Sequence, residues 1–186
     1  MLLSFDTETG GLGLDKSLLT LGLIFYDEEK GEKIDEYHWG LIPDNGIYIV
    51  DPKGLEVNGI DLVELAKTAI TYKEAGTELY NVLKHHSDHG SNKIVPVGKN
   101  VHGDINHVCD KLMSRGTWEN FVSYRTMDVS SLFQAFRLVG KIPDTVSGSL
   151  ESICEFYELP TDGLHGALRD AEMTLECLNI MLEEIK

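Results

Sequence analysis

Two carboxylates, Asp6 and Glu8, stand two residues apart where a short, largely apolar segment runs into a glycine-rich turn. Residues i and i+2 of a strand point to the same face, so both acids can approach one point just beyond the strand's end. Two acids that close repel each other unless a cation lies between them, and carboxylates are ligands of Mg²⁺ and Mn²⁺. The pair alone favours an ordinary polar exit from a strand, because such short motifs often occur by accident.

A second group of this kind lies near the C-terminus, in the segment HGALRDAEMT. The five residues from His165 to Asp170 place the two about 140° away from a shared helix face, so they converge only if His165 lies in the preceding loop. Gly163 and Gly166 permit such a loop, and a mobile imidazole there suits a general base better than a rigid metal ligand. The residues alone slightly favour the alternative, a surface histidine beside an acid in the first turns of a helix.

A fifth titratable residue, Asp104, follows the buried-looking segment IVPVG. A loop at the carboxyl end of a buried strand faces a ligand crevice in α/β sheets, which makes this acid a candidate for the same site. The alternative is an ordinary acid at the start of a helix.

The elements that must position these side chains follow from hydrophobic periodicity and turn signals. We predict strands at 2–6, 18–27, 34–42, 94–98 and 121–128, helices at about 73–86, 104–115, 129–140, 149–159 and 166–184, and an irregular segment at 44–60. Three hairpin-linked strands followed by alternating helices and strands predict one α/β domain over residues 1–186, with a mixed five-stranded sheet flanked by helices.

The bulk properties restrict the possible partners. A net charge of −15 argues against extended binding of nucleic acid but permits an acidic pocket that holds cations. The sequence has no membrane-length apolar run and no signal-peptide pattern, and its three scattered cysteines indicate free thiols in the cytoplasm. The segment HHSDH at 85–89 lacks the ligand spacing of a zinc site, so we interpret it as a solvated helix terminus.

The segment FDTETGGL, an aspartate after a G-x-N stretch, and H-x-A-x-x-D-A near the C-terminus occur here in the order of the DEDDh 3′–5′ exonucleases. The chain resembles this family, which includes the proofreading subunit of bacterial replicative DNA polymerase, ribonuclease T and oligoribonuclease. Lys99 and Gly103 depart from the His and Phe of proofreading-type relatives, whereas YRTMDVSSL at 124–132 resembles oligoribonuclease. The subfamily therefore stays open.

The resemblance implies a ribonuclease H-like fold, a site that binds two divalent cations, Mg²⁺ or Mn²⁺, and His165 as the general base. Asp6 would bridge both cations, Glu8 and Asp170 would complete the first metal site, and Asp104 would support the second. Four further residues are candidates for substrate binding, with Thr9 holding the terminal 3′-OH and Leu12 wedged against the terminal base: Thr9, Leu12, Asn100 and His102.

The resemblance, together with the acidic net charge, implies an enzyme that hydrolyses short single-stranded DNA or RNA from the 3′ end to nucleoside 5′-monophosphates. Two alternatives remain open: a non-catalytic or proofreading subunit of a polymerase or repair complex, and a nucleotide phosphodiesterase on the same fold. We expect no membrane partner, and the sequence leaves a homodimer open.

Overall fold

The sheet and its helices are defined by a computed structural model that describes residues 1–87 and 93–186. In these ranges the strands are β1 Leu2–Thr9, β2 Leu18–Asp27, β3 Glu32–Ile42, β4 Ile70–Thr71, β5 Val95–Gly98 and β6 Met127–Asp128. The helices are α1 Pro52–Asn58, α2 Leu62–Leu65, α3 Tyr72–His86, α4 His102–Lys111, α5 Arg115–Phe121, α6 Val129–Leu138, α7 Leu150–Phe156 and α8 Ala167–Glu183.

The strands form one mixed sheet in the order β4-β3-β2-β1-β5-β6. The meander β1–β2–β3 is antiparallel, and β5 and β6 continue the sheet parallel to β1. The predicted α/β fold with a mixed sheet flanked by helices is therefore confirmed. The described ranges contribute six strands and not the predicted five, because Ile70–Thr71 adds a short parallel strand beside the end of β3.

The two faces of the sheet carry separate apolar layers. Leu3 and Phe5 of β1 point to a layer formed with α3, α4 and α5. On the other face, α6, α7 and α8 pack around Val97, Phe133 and Cys177. Because side chains alternate along a strand, Ser4, Asp6 and Glu8 face α8 while their neighbours face the first layer.

Helix α8 lies very close to the sheet at its first turn. Gly22 of β2 leaves no room for a side chain, since a β-carbon there would be 2.3 Å from the Leu168 nitrogen. The hydroxyl of Ser4 donates a buried hydrogen bond of 2.7 Å to the Ala171 carbonyl. Ala167 and Ala171 are fully buried in this contact. These small residues bring the beginning of α8 against the end of β1.

The predicted strand at 121–128 is wrong over most of its length. Only Met127–Asp128 pair with β5, and Phe121 ends helix α5. The Ser114 side chain caps that helix by accepting from the Thr117 nitrogen, and Trp118 packs on Phe5 with ring centroids 5.6 Å apart. A cap and a buried tryptophan thus override the strand preference of the apolar residues.

The segment predicted to be irregular, 44–60, contains helix α1. Pro52 stands in its first turn, where its missing N–H carries no penalty, and Gly59 ends it in the left-handed conformation with φ 65°.

None of the helices in the described ranges combines the length and apolar character that a bilayer span requires.

Candidate active site

Three carboxylates converge at the point where β1 meets the first turn of α8. Asp6 and Glu8 come from the face of β1 that carries Ser4, and Asp170 comes from α8. One oxygen from each of the three lies within 4.8 Å of the others. The strand supplies two acids by its two-residue period, and the docked helix supplies the third.

The strand changes its register directly after the second acid. Glu8 pairs with Thr20, but Thr9 pairs with Leu18, so a bulge separates the two residues. The Asn58 side chain of α1 donates to the Thr9 carbonyl at 3.0 Å. A bulge ends regular pairing and redirects the chain, and here it turns the chain from the acids into the glycine-rich loop.

The fourth predicted ligand, Asp104, approaches from the opposite face of the sheet. It lies in the first turn of α4, and its Oδ1 accepts hydrogen bonds from the Thr7 nitrogen at 3.1 Å and the Thr7 hydroxyl at 2.6 Å. Thr7, which sequence reasoning did not select, therefore fixes this carboxylate. In the sequence, the position of Thr7 between the two acids of the first motif was the signal that could have identified it.

Burial raises the pKa of each of the four acids, and repulsion by the other acids of the group adds to this for Asp6 and Glu8. The pKa of Asp6 rises well above its usual range, with Asp104, Asp170 and Glu8 adding repulsion. The pKa of Glu8 rises to about 8, again through burial followed by the charges of Asp170 and Asp104. Four like charges at one partly buried place are costly to keep ionised without a counter-charge.

Opposing contacts moderate these shifts. Burial raises the pKa of Asp104 to about 6, although its hydrogen bonds from Thr7 act in the opposite direction. Burial also raises the pKa of Asp170, against the backbone hydrogen bond from His165. The donor set consists of carboxylate oxygens, which hard divalent cations such as Mg²⁺ and Mn²⁺ prefer, and the repulsion is what such cations relieve. The arrangement therefore fits a divalent metal site.

His165 lies in the loop before α8, as predicted, and its imidazole is exposed. Its backbone has φ 71°, and its nitrogen donates to Asp170 Oδ1 at 3.0 Å. Arg169 anchors this loop, because its guanidinium donates to the carbonyl oxygens of Asp162 at 3.1 Å and Pro160 at 3.2 Å. Sequence reasoning did not assign this anchoring role to Arg169.

The four predicted substrate-binding residues lie in two loops. The Thr9 hydroxyl donates to the Gly11 carbonyl at 2.9 Å, and Leu12 is 95% exposed on the same loop. Asn100 has φ 59° and follows β5, and His102 begins α4 with an exposed side chain. Both loops adjoin the carboxylates through the chain, since they flank Glu8 and Asp104 respectively.

Two further polar side chains influence the acids. The charge of Lys99 lowers the pKa of Asp6, and a hydrogen bond from Asn58 lowers that of Glu8. Asn58 gave only a turn signal in the sequence, because the contact joins residues fifty positions apart. Contacts of this range depend on the fold and have no local pattern.

Comparisons with solved structures identify the fold. E. coli exonuclease I in complex with a dT13 oligonucleotide matches with a TM-score of 0.72 and 16% identity over 98% of this chain and 40% of that one. The zinc-bound form of the E. coli ExoI–ssDNA complex gives a TM-score of 0.80 and 15% identity over the same shares. This chain therefore spans about 40% of the length of those exonuclease I chains.

A third solved structure matches over nearly its whole length. The nuclease domain of 3′hExo, a DEDDh family member bound to rAMP, gives a TM-score of 0.72 and 12% identity over 98% of this chain and 92% of that one. No curated protein sequence matches the chain.

The family comparison rests on sequence. The DEDDh_C model, described as DNA polymerase III subunit epsilon-like, C-terminal domain, matches residues 61–181. This span contains Asp104, His165 and Asp170 and covers well over half of the chain. The chain belongs to the DEDDh family of DNA polymerase III subunit epsilon-like domains.

Proposed function

We propose that the chain is a metal-dependent 3′–5′ exonuclease that hydrolyses short single-stranded nucleic acid to nucleoside 5′-monophosphates. The convergence of Asp6, Glu8 and Asp170 within 4.8 Å carries the proposal. Two similar structures support the substrate class, since one was solved with a dT13 oligonucleotide and another with rAMP. We assign the activity to one exonuclease domain over residues 1–186.

The metal ligands in this proposal are the acids already described. Asp6, Glu8 and Asp170 would hold Mg²⁺ or Mn²⁺ in one position, and Asp104 would support a second position that Asp6 shares. Such ions, when bound, neutralise charge on a phosphate and make an attacking water more acidic. The raised pKa values of the four acids support this role, because a bound cation offsets the cost of keeping these carboxylates charged where they are shielded from water.

The proposed base is His165. Its exposed imidazole takes a proton from the attacking water as the new oxygen–phosphorus bond forms. The bond from phosphorus to the 3′ oxygen of the preceding nucleotide breaks, and that oxygen takes up a proton to become the new 3′-OH. The released product is a nucleoside 5′-monophosphate. The backbone bond from His165 to Asp170 keeps the base next to the carboxylates during this exchange.

Substrate contacts in this proposal come from the two adjoining loops. The Thr9 hydroxyl already donates to Gly11, so its lone pairs remain available to accept from a terminal 3′-OH. The exposed side chain of Leu12 would pack against the terminal base. Asn100 and His102 would contact the backbone of the terminal nucleotides from the other loop.

A cleavage assay on end-labelled oligonucleotides tests the proposal. We expect release of 5′-monophosphates from a free 3′-OH, no cleavage when a 3′-phosphate blocks that end, and none in excess EDTA. Asp6→Asn with Asp170→Asn should abolish cleavage and also remove Mn²⁺ binding measured by calorimetry. Equal cleavage of blocked and unblocked strands would contradict the 3′ polarity.

The same assay distinguishes the alternatives. A non-catalytic subunit would release no nucleotide under any condition, although it would bind the oligonucleotide. A proofreading subunit would act on the unpaired end of a primer and bind a polymerase. A nucleotide phosphodiesterase would hydrolyse p-nitrophenyl phosphate esters and leave oligonucleotides intact.

We propose a cytoplasmic location, because all three cysteines are free thiols.

A further inference from the structure

A second group of potential metal ligands lies away from the acidic site. It contains Asp35 of β3 and two histidines at the end of α3, His85 and His86, and one ligand atom from each lies within 4.8 Å of the others. Asp35 pairs with Phe25, whereas the acids Asp6 and Glu8 pair with Gly22 and Thr20. The two groups are thus three to five residues apart along the sheet, or roughly 10–17 Å.

His86 is the buried member of this group. Its side chain is 4% exposed, and its ring stacks on Phe25 with centroids 3.9 Å apart and an interplanar angle of 20°. The interpretation of 85–89 as a solvated terminus is therefore wrong for His86, and residues 88 and 89 lie outside the described residues. The core fixes this imidazole in one orientation, as a metal ligand requires.

The Nε2 atom of His86 points to Asp35. It lies 3.1 Å from Asp35 Oδ2, is buried, and has no aligned hydrogen-bond partner among the described residues. A metal ion placed between these two atoms would replace any proton shared by them, because metal binding to an imidazole nitrogen releases the proton on it.

We propose that Asp35, His85 and His86 form a second metal site for a Zn²⁺-type transition ion. Two imidazoles and one carboxylate favour Zn²⁺ over Mg²⁺, because Mg²⁺ prefers a shell of oxygen ligands. Three protein ligands leave a fourth position of the tetrahedron for water. The two histidines border an open cleft that gives water access.

The distances allow this site with a small adjustment. Ligand bonds of about 2.0–2.1 Å place donor atoms roughly 3.3 Å apart in a tetrahedron. His86 and Asp35 already meet this separation at 3.1 Å. His85 is exposed at the last turn of α3, so it is the ligand that can rotate inward. The bound ion would connect the end of α3 to β3.

Calorimetry with Zn²⁺ alone tests the site in a protein that carries Asp6→Asn and Asp170→Asn, which disable the acidic site. With excess Mg²⁺ present, we expect one Zn²⁺ per chain and a rise in melting temperature on binding. His85→Ala and Asp35→Asn should each weaken Zn²⁺ binding by at least tenfold. Both positions are exposed or partly exposed, so these variants should fold, and circular dichroism checks that they do.

Glu36→Gln provides the matched control. Glu36 follows Asp35 on β3, points to the other side of the sheet and pairs with Lys33 at 2.6 Å. This variant should bind Zn²⁺ as the parent does. Absence of Zn²⁺ binding, or binding that survives both His85→Ala and Asp35→Asn, would overturn the proposal. Neither result would affect the proposed nuclease, because the acidic site is disabled throughout.

Discussion

At the scale of single residues, the acidic site is a destabilising feature of the metal-free protein. Glu8 has a pKa of about 8 in the folded chain, against about 4.3 for a free glutamate. Between these values the folded state holds a proton that the unfolded state has released. Stability must therefore fall as pH rises through this window.

We predict that the free energy of unfolding of the metal-free protein decreases from pH 4.5 to pH 8 with a slope that Glu8→Gln reduces. Denaturant titrations in EDTA at several pH values measure this slope. Glu155→Gln, at an exposed position of α7, is the control and should leave the slope unchanged. A steeper slope in Glu8→Gln would contradict the raised pKa.

The role of His165 is tested by substitution and chemical rescue. His165→Ala should reduce turnover by roughly 10²–10⁴-fold, the usual effect of a lost general base. Added imidazole should restore part of the rate, because the position is open to solvent. Mn²⁺ affinity should stay the same, and its loss in calorimetry would mean that the histidine is a ligand.

The sequence predicted part of this site for a physical reason. The two-residue period of a strand brings Asp6 and Glu8 together, and a glycine-flanked loop leaves His165 free to meet Asp170. The partners that fix these groups have no such local signature. Thr7 and Asn58 contact the site only after distant segments have packed, so spacing alone could not select them.

At the scale of elements, the loop before α8 depends on Arg169. Its guanidinium binds two loop carbonyls, and a lysine cannot reproduce this planar fork. We predict that Arg169→Lys lowers kcat by roughly 10–100-fold, the cost of misplacing the base by about an ångström. Mn²⁺ affinity and KM should change little.

Glu172→Gln is the matched control for this variant. It removes the ion pair from Arg169 at 2.5 Å but leaves both carbonyl contacts in place. Its kcat should remain near that of the parent. If Arg169→Lys instead weakens Mn²⁺ binding as much as it lowers kcat, then the arginine positions Asp170 and not the base.

The elements themselves were predictable where a long apolar pattern decides them. Helices α3 and α8 begin and end within one residue of their predicted bounds, because each buries a periodic stripe. The strand predicted at 121–128 is wrong because its apolar residues suit a strand, whereas the cap at Ser114 and the burial of Trp118 favour a helix. That helix starts six residues earlier and includes Phe121. Short elements depend on such tertiary contacts.

At the scale of the whole molecule, the net charge bears on the length of the proposed substrate. The net charge of −15 repels a long polyanion within about 8 Å at physiological salt. Many basic side chains are also paired with acids, including Lys16, Lys33, Lys67, Lys111 and Arg137. Attraction for nucleic acid would then come from bound cations and from a few groups near the terminal nucleotides.

We predict that affinity saturates within a few nucleotides and depends weakly on salt. His165→Ala retains the metal ligands, so it permits binding measurements on 3-mers and 20-mers at 50 and 200 mM salt in the presence of Mg²⁺. The two lengths should bind within about tenfold of each other. A 20-mer bound a hundredfold more tightly, with a steep salt dependence, would indicate a basic groove that overrides the net charge.

The close packing of α8 at Gly22 and Ser4 also sets the order in which the site can form during synthesis. Asp6 and Glu8 emerge from the ribosome more than one hundred and sixty residues before Asp170. The sheet can begin to form from the N-terminal meander, but the third carboxylate is in place only after α8 docks. A nascent chain that lacks α8 therefore carries Asp6, Glu8 and His165 but not Asp170, so the three-acid group is complete only after α8 has been made and has docked.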